Sequence, residues 1–497
     1  MSHSSRRTFL KLSAGAGAAF ALPYLVPGAA FGANDEIRIA MAGIHGRGQS
    51  HIDEYAKIPG CKITYLVDPD SRLFASRSKV IQKKFGIQPK CVQDIRKALE
   101  DPNVDAVSVA TCNHWHSLIT IWACQANKDV YVEKPCSQNL HEGRKCLEAA
   151  RKYNRIVQHG TQSRSMSSIG KMVAAIHSGK YGKLLVAKGY CCKPRWSIGF
   201  KEIKQPPPEL DFNIWLGPSP VQPYHENLVH YNWHWFWNTG NGDMGNQGVH
   251  EMDVCRWAIG KTLPKSVVSL GGRWVDEPEH FFKDQGQTPN MELSVYDYDG
   301  TMLIFETRGL VAKKDAKKQF PGKVGYDFFL EEGAILLGER KVKGKLVRDY
   351  QFYPKGSTKP EPIVDVPAMV KPGGHFGNFI NCVRSRNRND LNAEILQGHL
   401  SAALCHLGNI SYRLGKPGPF AKSRKDYPEC QPVEDSIRAI DENLSGALDL
   451  DDLTKQTCQY GPKLQFDAQA EKFVGCPAAD ALLTRKPRPP FVVPETV

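Results

Sequence analysis

Two stretches of this chain carry groups suited to moving a proton. The first is Val130-Tyr131-Val132-Glu133-Lys134-Pro135. The second is a Gly-rich tract that leads into Asn246, His250 and Asp253. A lysine offers a compact cation with three donors, and a histidine titrates near neutral pH. A base within reach of a hydroxyl can take its proton, and a nearby cation stabilises the developing alkoxide. Each stretch also has a plainer reading. Glu133-Lys134 could be an ordinary ion pair at a strand end, and a lone helix histidine could be satisfied structure.

What surrounds these residues must position them. Val130 to Val132 are apolar and mostly β-branched, which predicts a short buried strand that Pro135 stops. Lys134 then lies at the carboxyl end of a strand, where open α/β sheets bind ligands. Glu133 could orient or pair its ammonium. Upstream, a predicted strand at 37–42 runs into Gly43-Ile44-His45-Gly46-Arg47-Gly48, with a helix expected over about 49–57. Strand, glycine turn and helix start form a dinucleotide-binding arrangement, with backbone N–H groups facing a diphosphate. His45 stands where the second glycine of G-x-G-x-x-G belongs, and the adjacent Gly46 could let the backbone approach instead. A second strand at 62–67 ends in Asp68, 20 residues after Gly48, placed to take the ribose hydroxyls of NAD. An acid there repels a 2′-phosphate, so NAD is expected over NADP. The alternative for Asp68 is a plain turn residue.

A strand at 106–110 ends in Thr111-Cys112-Asn113-His114-Trp115-His116, polar and aromatic enough to line a ribose and nicotinamide. Helices at 71–85, 94–99, 115–126 and 140–153 and a strand at 156–159 complete a doubly wound pattern. Beyond 161 come a helix at 167–178 and runs with partial β alternation at 184–191, 266–270, 291–298, 301–307 and 334–337. These predict an α/β domain on a large, mainly antiparallel sheet. The aromatic tract Tyr231-Asn232-Trp233-His234-Trp235-Phe236-Trp237 suits sugar-ring faces or plain packing. Asn246 and His250 should share a helix face, with Asp253 three residues on. Helices at 375–386 and 394–414 could close back on the first domain. The second carries His399 and His406 on a packing or subunit face. Residues 417–497 read as an irregular extension wrapping the surface. The predicted division is therefore a leader at 1–32, a Rossmann domain at 33–160, a substrate domain at 161–415 and an extension at 416–497.

The formal charge is +13, and Arg6, Arg7 and Lys11 supply three of those positive charges. The rest is dispersed without a basic stripe, so no nucleic-acid partner is expected. Ser5-Arg6-Arg7-Thr8-Phe9-Leu10-Lys11 precedes a mildly apolar Ala/Gly-rich run, the pattern of a twin-arginine export signal. Its partner is the twin-arginine machinery, its destination the periplasm or another exported location, and cleavage is expected near Gly32 or Ala33. No other segment is long and apolar enough to anchor the mature chain in a membrane. The 14 cysteines include no C-x-x-C pair and no zinc spacing, so no metal site and few or no disulfides are expected.

The chain resembles the Gfo/Idh/MocA family of NAD(P)-dependent sugar and polyol oxidoreductases from about residue 37 to 414. The resemblance rests on the glycine turn, Asp68, Asn113 to His116, Glu133-Lys134-Pro135, and the helix with His250 and Asp253. It implies that Lys134 hydrogen-bonds the reacting hydroxyl and that His250 accepts its proton. Many members have Asp four residues before that histidine. Asn246 stands there in this chain, able to bind a substrate hydroxyl but not to titrate. The implied activity is hydride transfer between a sugar hydroxyl and bound NAD, in a chain expected to form a homo-oligomer. Two alternatives are an NAD-dependent glycosidase acting by transient oxidation, elimination and re-reduction, and a non-catalytic sugar-binding protein.

Overall fold

Six strands lie side by side in the order β3-β2-β1-β4-β5-β6, all parallel. They are β1 (Ile37–Ala42), β2 (Cys61–Val67), β3 (Lys90–Val92), β4 (Ala106–Val109), β5 (Asp129–Val132) and β6 (Val157–His159). The helices between them are α1 (Gly46–Tyr55), α2 (Phe74–Phe85), α3 (Ile95–Leu99), α4 (Asn113–Gln125) and α5 (Leu140–Lys152). The computed structural model describes residues 36–275, 284–310, 323–342, 345–420, 427–448, 453, 456–486 and 488–497. The leader, with Arg6 and Arg7, and the acidic run at Asp449, Asp451 and Asp452 lie outside the described residues.

Register decides what this sheet offers to a ligand. Ala42 pairs with both Val67 and Val109, Val109 with Val132, and Val132 with His159. The residues that follow these strand ends, Gly43, Asp68, Ala110, Glu133 and Gly160, therefore form one row along the carboxyl edge. Buried strands of Val, Ile and Ala fix that register, because a one-residue slip would turn every side chain to the other face.

From α6 (Ser167–His177) the chain enters a second, 12-stranded sheet. Its strands are β7 (Leu184–Cys191), β8 (Ser266–Gly272), β9 (Met291–Asp297), β10 (Met302–Arg308), β11 (Val324–Leu330), β12 (Gly333–Val342), β13 (Lys345–Pro354) and β14 (Glu361–Pro362), with later additions. The ladder is antiparallel except where β7 and β10 run parallel. The short α7 (Phe212–Leu216) precedes the aromatic tract, and α8 (Val249–Ile259) follows the Gly-rich tract. After α9 (Gly374–Ser385), the apolar α10 (Ile395–Arg413) is buried between α5 on one side and β8 with α8 on the other. That helix ties the two sheets into one body spanning Ile37–Val497.

The expectation of an irregular end past 417 is overturned. β15 (Lys416–Pro419), β16 (Thr457–Tyr460) and β17 (Leu464–Asp467) extend the second sheet, and β18 (Lys472–Phe473) pairs with β17. The 18-residue α11 (Gln431–Leu448) covers the sheet face opposite α8, packing Val433, Ile440 and Leu444 against a core with Val268, Leu293 and Val295. The short α12 (Pro477–Asp480) leads to a terminal stretch that lies against the first sheet's helices. There Arg485 pairs with Glu142 at 2.6 Å, and Phe491, 1% exposed, sits edge-on to Trp115. Strands of two to four residues carry too little alternation to stand out in a sequence, and Pro-rich flanks hide them.

Candidate functional site

The turn after β1 is shaped by what glycine omits. Gly43 has φ +79°, and a Cβ on it would meet Ala110 O at 2.5 Å. A Cβ on Gly48 would meet Gly43 O at 2.0 Å, so that residue sets how closely α1 packs behind the turn. A Cβ on Gly46 would enter open space. No side chain caps the start of α1, and its first turn holds no acid. The result is an anion-accepting helix end beside an open approach, which fits a dinucleotide diphosphate.

Asp68 lies one strand over. Its carboxylate accepts from Ile44 N and Asp70 N, each at 3.0 Å, and burial pushes its pKa up to about 6. It therefore remains mostly ionised at neutral pH. His45, out of pattern as a glycine substitute, stacks on His230 with ring centroids 4.5 Å apart. His230 also lies 3.0 Å from Asp70.

Gly43, His45, Gly46, Asp68 and His230 line one cavity of about 610 Å³ together with Arg47, Asn113, Trp115, His116, Glu133, Lys134, Asn246 and His250. Of the residues expected to contact the cofactor, Gly48 and His114 do not line it. His114 is fully buried, within 3.2 Å of Thr239 O and 2.9 Å of Trp215 O, and burial drops its pKa to about 3. It braces α4 against α7. His116 spans the Pro135 and Thr111 carbonyls, so its ring presents an edge to the cavity rather than a free nitrogen.

Glu133 does not pair the Lys134 ammonium. Its Oε1 accepts from Arg47 at 2.8 Å and lies 3.0 Å from His51 Nε2. Burial alone would raise its pKa, but the His51 hydrogen bond and the Arg47 charge hold it well below the usual range. The Lys134 ammonium is thereby released from its neighbour and donates to Asn246 O.

Asn246 and His250 do not share a regular helix face, because Met244–Gly248 forms a π turn before α8. A Cβ on Gly248 would lie 2.5 Å from Phe305, so glycine there lets the turn sit directly on β10. Such turns recur at functional sites because they re-aim side chains. Asn246 Nδ2 donates to Asp243 at 3.2 Å, which leaves its Oδ1 to accept a hydroxyl. Asp243 in turn receives both arms of Arg195 at 3.0 Å. A carboxylate therefore does lie beside this turn, seven residues before His250, but it is already paired with Arg195. The His250 ring has no hydrogen-bond partner among the described residues. Burial, and then the Lys134 charge, push its pKa well below the ordinary value. Burial likewise lowers Lys134. At neutral pH the His250 imidazole is therefore neutral.

Asp253 turns away from the cavity. It is 0% exposed and takes two hydrogen bonds from Arg164, at 2.8 and 2.9 Å. His399 and His406 are also internal, against Glu471 at 2.7 Å and Ser137 at 3.1 Å, so they form no subunit face. The aromatic tract divides. Tyr231, Trp233 and His234 line the cavity, whereas Trp235 and Phe236 are buried outside its lining. His234 Nδ1 must donate to Tyr231 O at 2.6 Å, which leaves Nε2 as an acceptor.

Sequence reading missed His230, Lys193, Gln247 and Gln162, all of which line the cavity. Gln247 adjoins Asn246 and was within reach of notice. Lys193 follows β7 as Lys134 follows β5. Nothing local marks His230. The 14 cysteines are free thiols. Among the described residues no cluster could hold a metal ion, and no helix is long and apolar enough to cross a membrane.

Residues 37–161 match the GFO/IDH/MocA oxidoreductase family's NAD-binding Rossmann fold, and residues 165–309 match its C-terminal alpha/beta domain. Residues 3–23 match the twin-arginine translocation signal sequence. The chain is 23% identical over 308 residues to scyllo-inositol 2-dehydrogenase (NAD(+)) of Bacillus subtilis (strain 168), covering 61% of this chain and 74% of that one. It is 25% identical over 207 residues to a glycosyl hydrolase family 109 protein of Saccharopolyspora erythraea, 37% of this chain and 45% of that one. The fold is similar to that of the WlbA dehydrogenase from Bordetella pertussis, solved with NADH and UDP-GlcNAcA. The TM-score is 0.54 at 16% identity, over 76% of this chain and 97% of that one.

Proposed function

The chain belongs to the Gfo/Idh/MocA oxidoreductase family, and from that premise we propose an exported enzyme that moves hydride between a secondary hydroxyl of a sugar or sugar derivative and tightly held NAD. One observation carries the reading: the glycine turn and Asp68 share a single cavity with Lys134, Asn246 and His250. Backbone N–H groups at Gly46 and Arg47 hold the diphosphate, and Asp68 takes the ribose hydroxyls. The dinucleotide, when bound, supplies the hydride acceptor. Lys134 donates to the substrate oxygen and stabilises alkoxide charge, His250 takes the hydroxyl proton, and Asn246 Oδ1 accepts a neighbouring hydroxyl. The twin-arginine match supports export of the folded chain with nucleotide aboard, to the periplasm.

A second reading keeps the same site. The glycosyl hydrolase family 109 relative favours a closed cycle in which a sugar hydroxyl is oxidised, the glycosidic bond eliminated and the ketone reduced again. Such a cycle suits an exported enzyme with little free NAD to exchange. Nucleotide released on denaturing the purified protein, followed by product analysis with free sugars and aryl glycosides, separates the two. A released aglycone with no net NADH supports the hydrolase. NADH accumulation with free sugar supports net oxidation, and no nucleotide at all removes both.

Asp68→Ala should weaken NAD binding by about 1.5–3 kcal/mol, the worth of hydrogen bonds to a charged group, and lower the unfolding free energy by less. Binding uses the ionised acid. Affinity measured by calorimetry on stripped protein should therefore be full above pH about 6 and fall as pH drops through it. Equal losses in binding and stability would return Asp68 to a turn role. Replacing Arg6 and Arg7 with Lys should retain the precursor in the cytoplasm of a twin-arginine-competent host, and unchanged export would refute that route.

A further inference from the structure

Three cations line the cavity: Arg47, Lys134 and Lys193. Arg47 is matched by Glu133 at 2.8 Å. Lys134 donates to Asn246 O and, in the reading above, serves the reacting hydroxyl. Lys193 is different. Its ammonium donates to Gln247 Oε1 at 2.6 Å and meets no carboxylate among the described residues. The amide is fixed from its other side, since Gln247 Nε2 donates to Glu251 Oε1 at 2.9 Å. Gln247 thus stands as a neutral spacer between a cation and a buried acid. Glu251 is 2% exposed, and its Oε2 has no partner. Burial pushes its pKa up to about 8, so it is mostly protonated at neutral pH and adds little negative charge. The nearby carboxylate Asp243 is consumed by Arg195. Every acid that could have neutralised Lys193 is paired, protonated or held off by an amide.

The position of this cation matters as much as its charge. Lys193 lies just past β7 in the second sheet, and its partner Gln247 is the immediate neighbour of Asn246 and three residues from His250. The glycine turn that faces the diphosphate belongs to the first sheet. Lys193 therefore serves the sugar end of the cavity.

We infer that the substrate is a sugar bearing an anionic substituent, a carboxylate or a phosphate, and that Lys193, steadied by Gln247, is the residue that selects it. This rests on the oxidoreductase reading of the same site. An ammonium is a point charge without the planar fork of arginine, so it accepts either anion. The two sources are told apart by experiment.

The test uses the NAD-loaded full chain, with D-glucuronate, D-glucose 6-phosphate and D-glucose as probes and nicotinamide absorbance as the readout. The wild-type kcat/KM should favour glucuronate or the phosphate over glucose, and the better of the two names the anion. Lys193→Met should lower that preference by about 10- to 100-fold, the range for losing a hydrogen bond to a charged group. Lys193→Arg should restore most of it. The preference ratio guards against simple misfolding, which lowers all three rates together. A wild-type preference for glucose, or a Lys193→Met variant that keeps the ratio, overturns the inference and leaves the oxidoreductase reading standing. No reduction by any probe, with no binding of any by calorimetry, overturns both.

Discussion

Lys134→Met is expected to lose about 10²–10⁴-fold in turnover while retaining NAD, the usual cost of a positioned proton-transfer group. His250→Ala should lose a similar factor. Because the two act on one hydroxyl, the double variant should be little worse than the poorer single one. The pH profile gives a sharper readout. Hydroxyl oxidation needs neutral His250, so turnover should fall as pH drops through that group's pKa, which lies below its ordinary 6.5. The basic limb should follow Lys134, whose pKa burial holds below 10.5. Part of the His250 depression comes from the Lys134 charge. Removing that charge in Lys134→Met should therefore move the acid limb of the residual activity to higher pH. Asn246→Asp should move it the same way by favouring imidazolium, although Arg195 and Asp243 already fill part of the local field. Near-normal turnover in either single variant, or an acid limb that stays put in Lys134→Met, would leave these residues as structure.

How much of this was readable in advance varies with the range of the interaction. Five of the six Rossmann strands were legible as short buried runs, three of them followed by a chemically odd residue, Gly43, Asp68 or Glu133, whereas the largely exposed β3 was not. Parallel register then places such ends in one row, so a motif spread over a hundred residues collapses to a single edge. In the second half β7 to β10 and part of β12 were legible as strands, whereas β11 and β13 were not, nor was the sheet order, since the antiparallel partners of β8 include segments past residue 456. The partner of Glu133 was misjudged for a related reason. Adjacency in sequence suggested Lys134, yet successive residues at a strand end point apart, and Arg47 and His51 on α1 reach the carboxylate first. His114 shows the converse. Beside Asn113 it looked like a ligand residue, but one step along a helix rotates a side chain by about 100°, from the cavity to the α7 contact. His230 had no signal beyond type and Lys193 only its place just past a strand, because their roles depend on loops docking from elsewhere.

Asp253 is the residue whose meaning changes most between the two views. Grouped with His250 by spacing, it helped carry the family resemblance. In the fold it anchors α8 from beneath. Arg164 grips it twice, Ser401 donates to its Oδ1, and Arg256 lies 3.8 Å away. All of these groups are buried, and Arg164 also lies over the Trp257 ring at 5.0 Å. Removing one member of such a pair strands the other charge in a low dielectric, at a cost of about 3–5 kcal/mol. Arg164→Met should therefore lower the unfolding free energy by about that amount, read from the denaturant midpoint at constant slope. Asp253→Leu should do the same or worse, because it strands two guanidinium groups. The combination Arg164→Met with Asp253→Leu should recover much of the loss, since an apolar pair of similar volume replaces a buried ion pair at little cost. A relay role predicts otherwise. Asp253→Leu would then cut turnover by a factor that the double variant does not restore, and it would move the acid limb of the pH profile while leaving the midpoint in place. Stability and rate measured on the same three proteins decide whether the acid below His250 holds the helix or serves the chemistry.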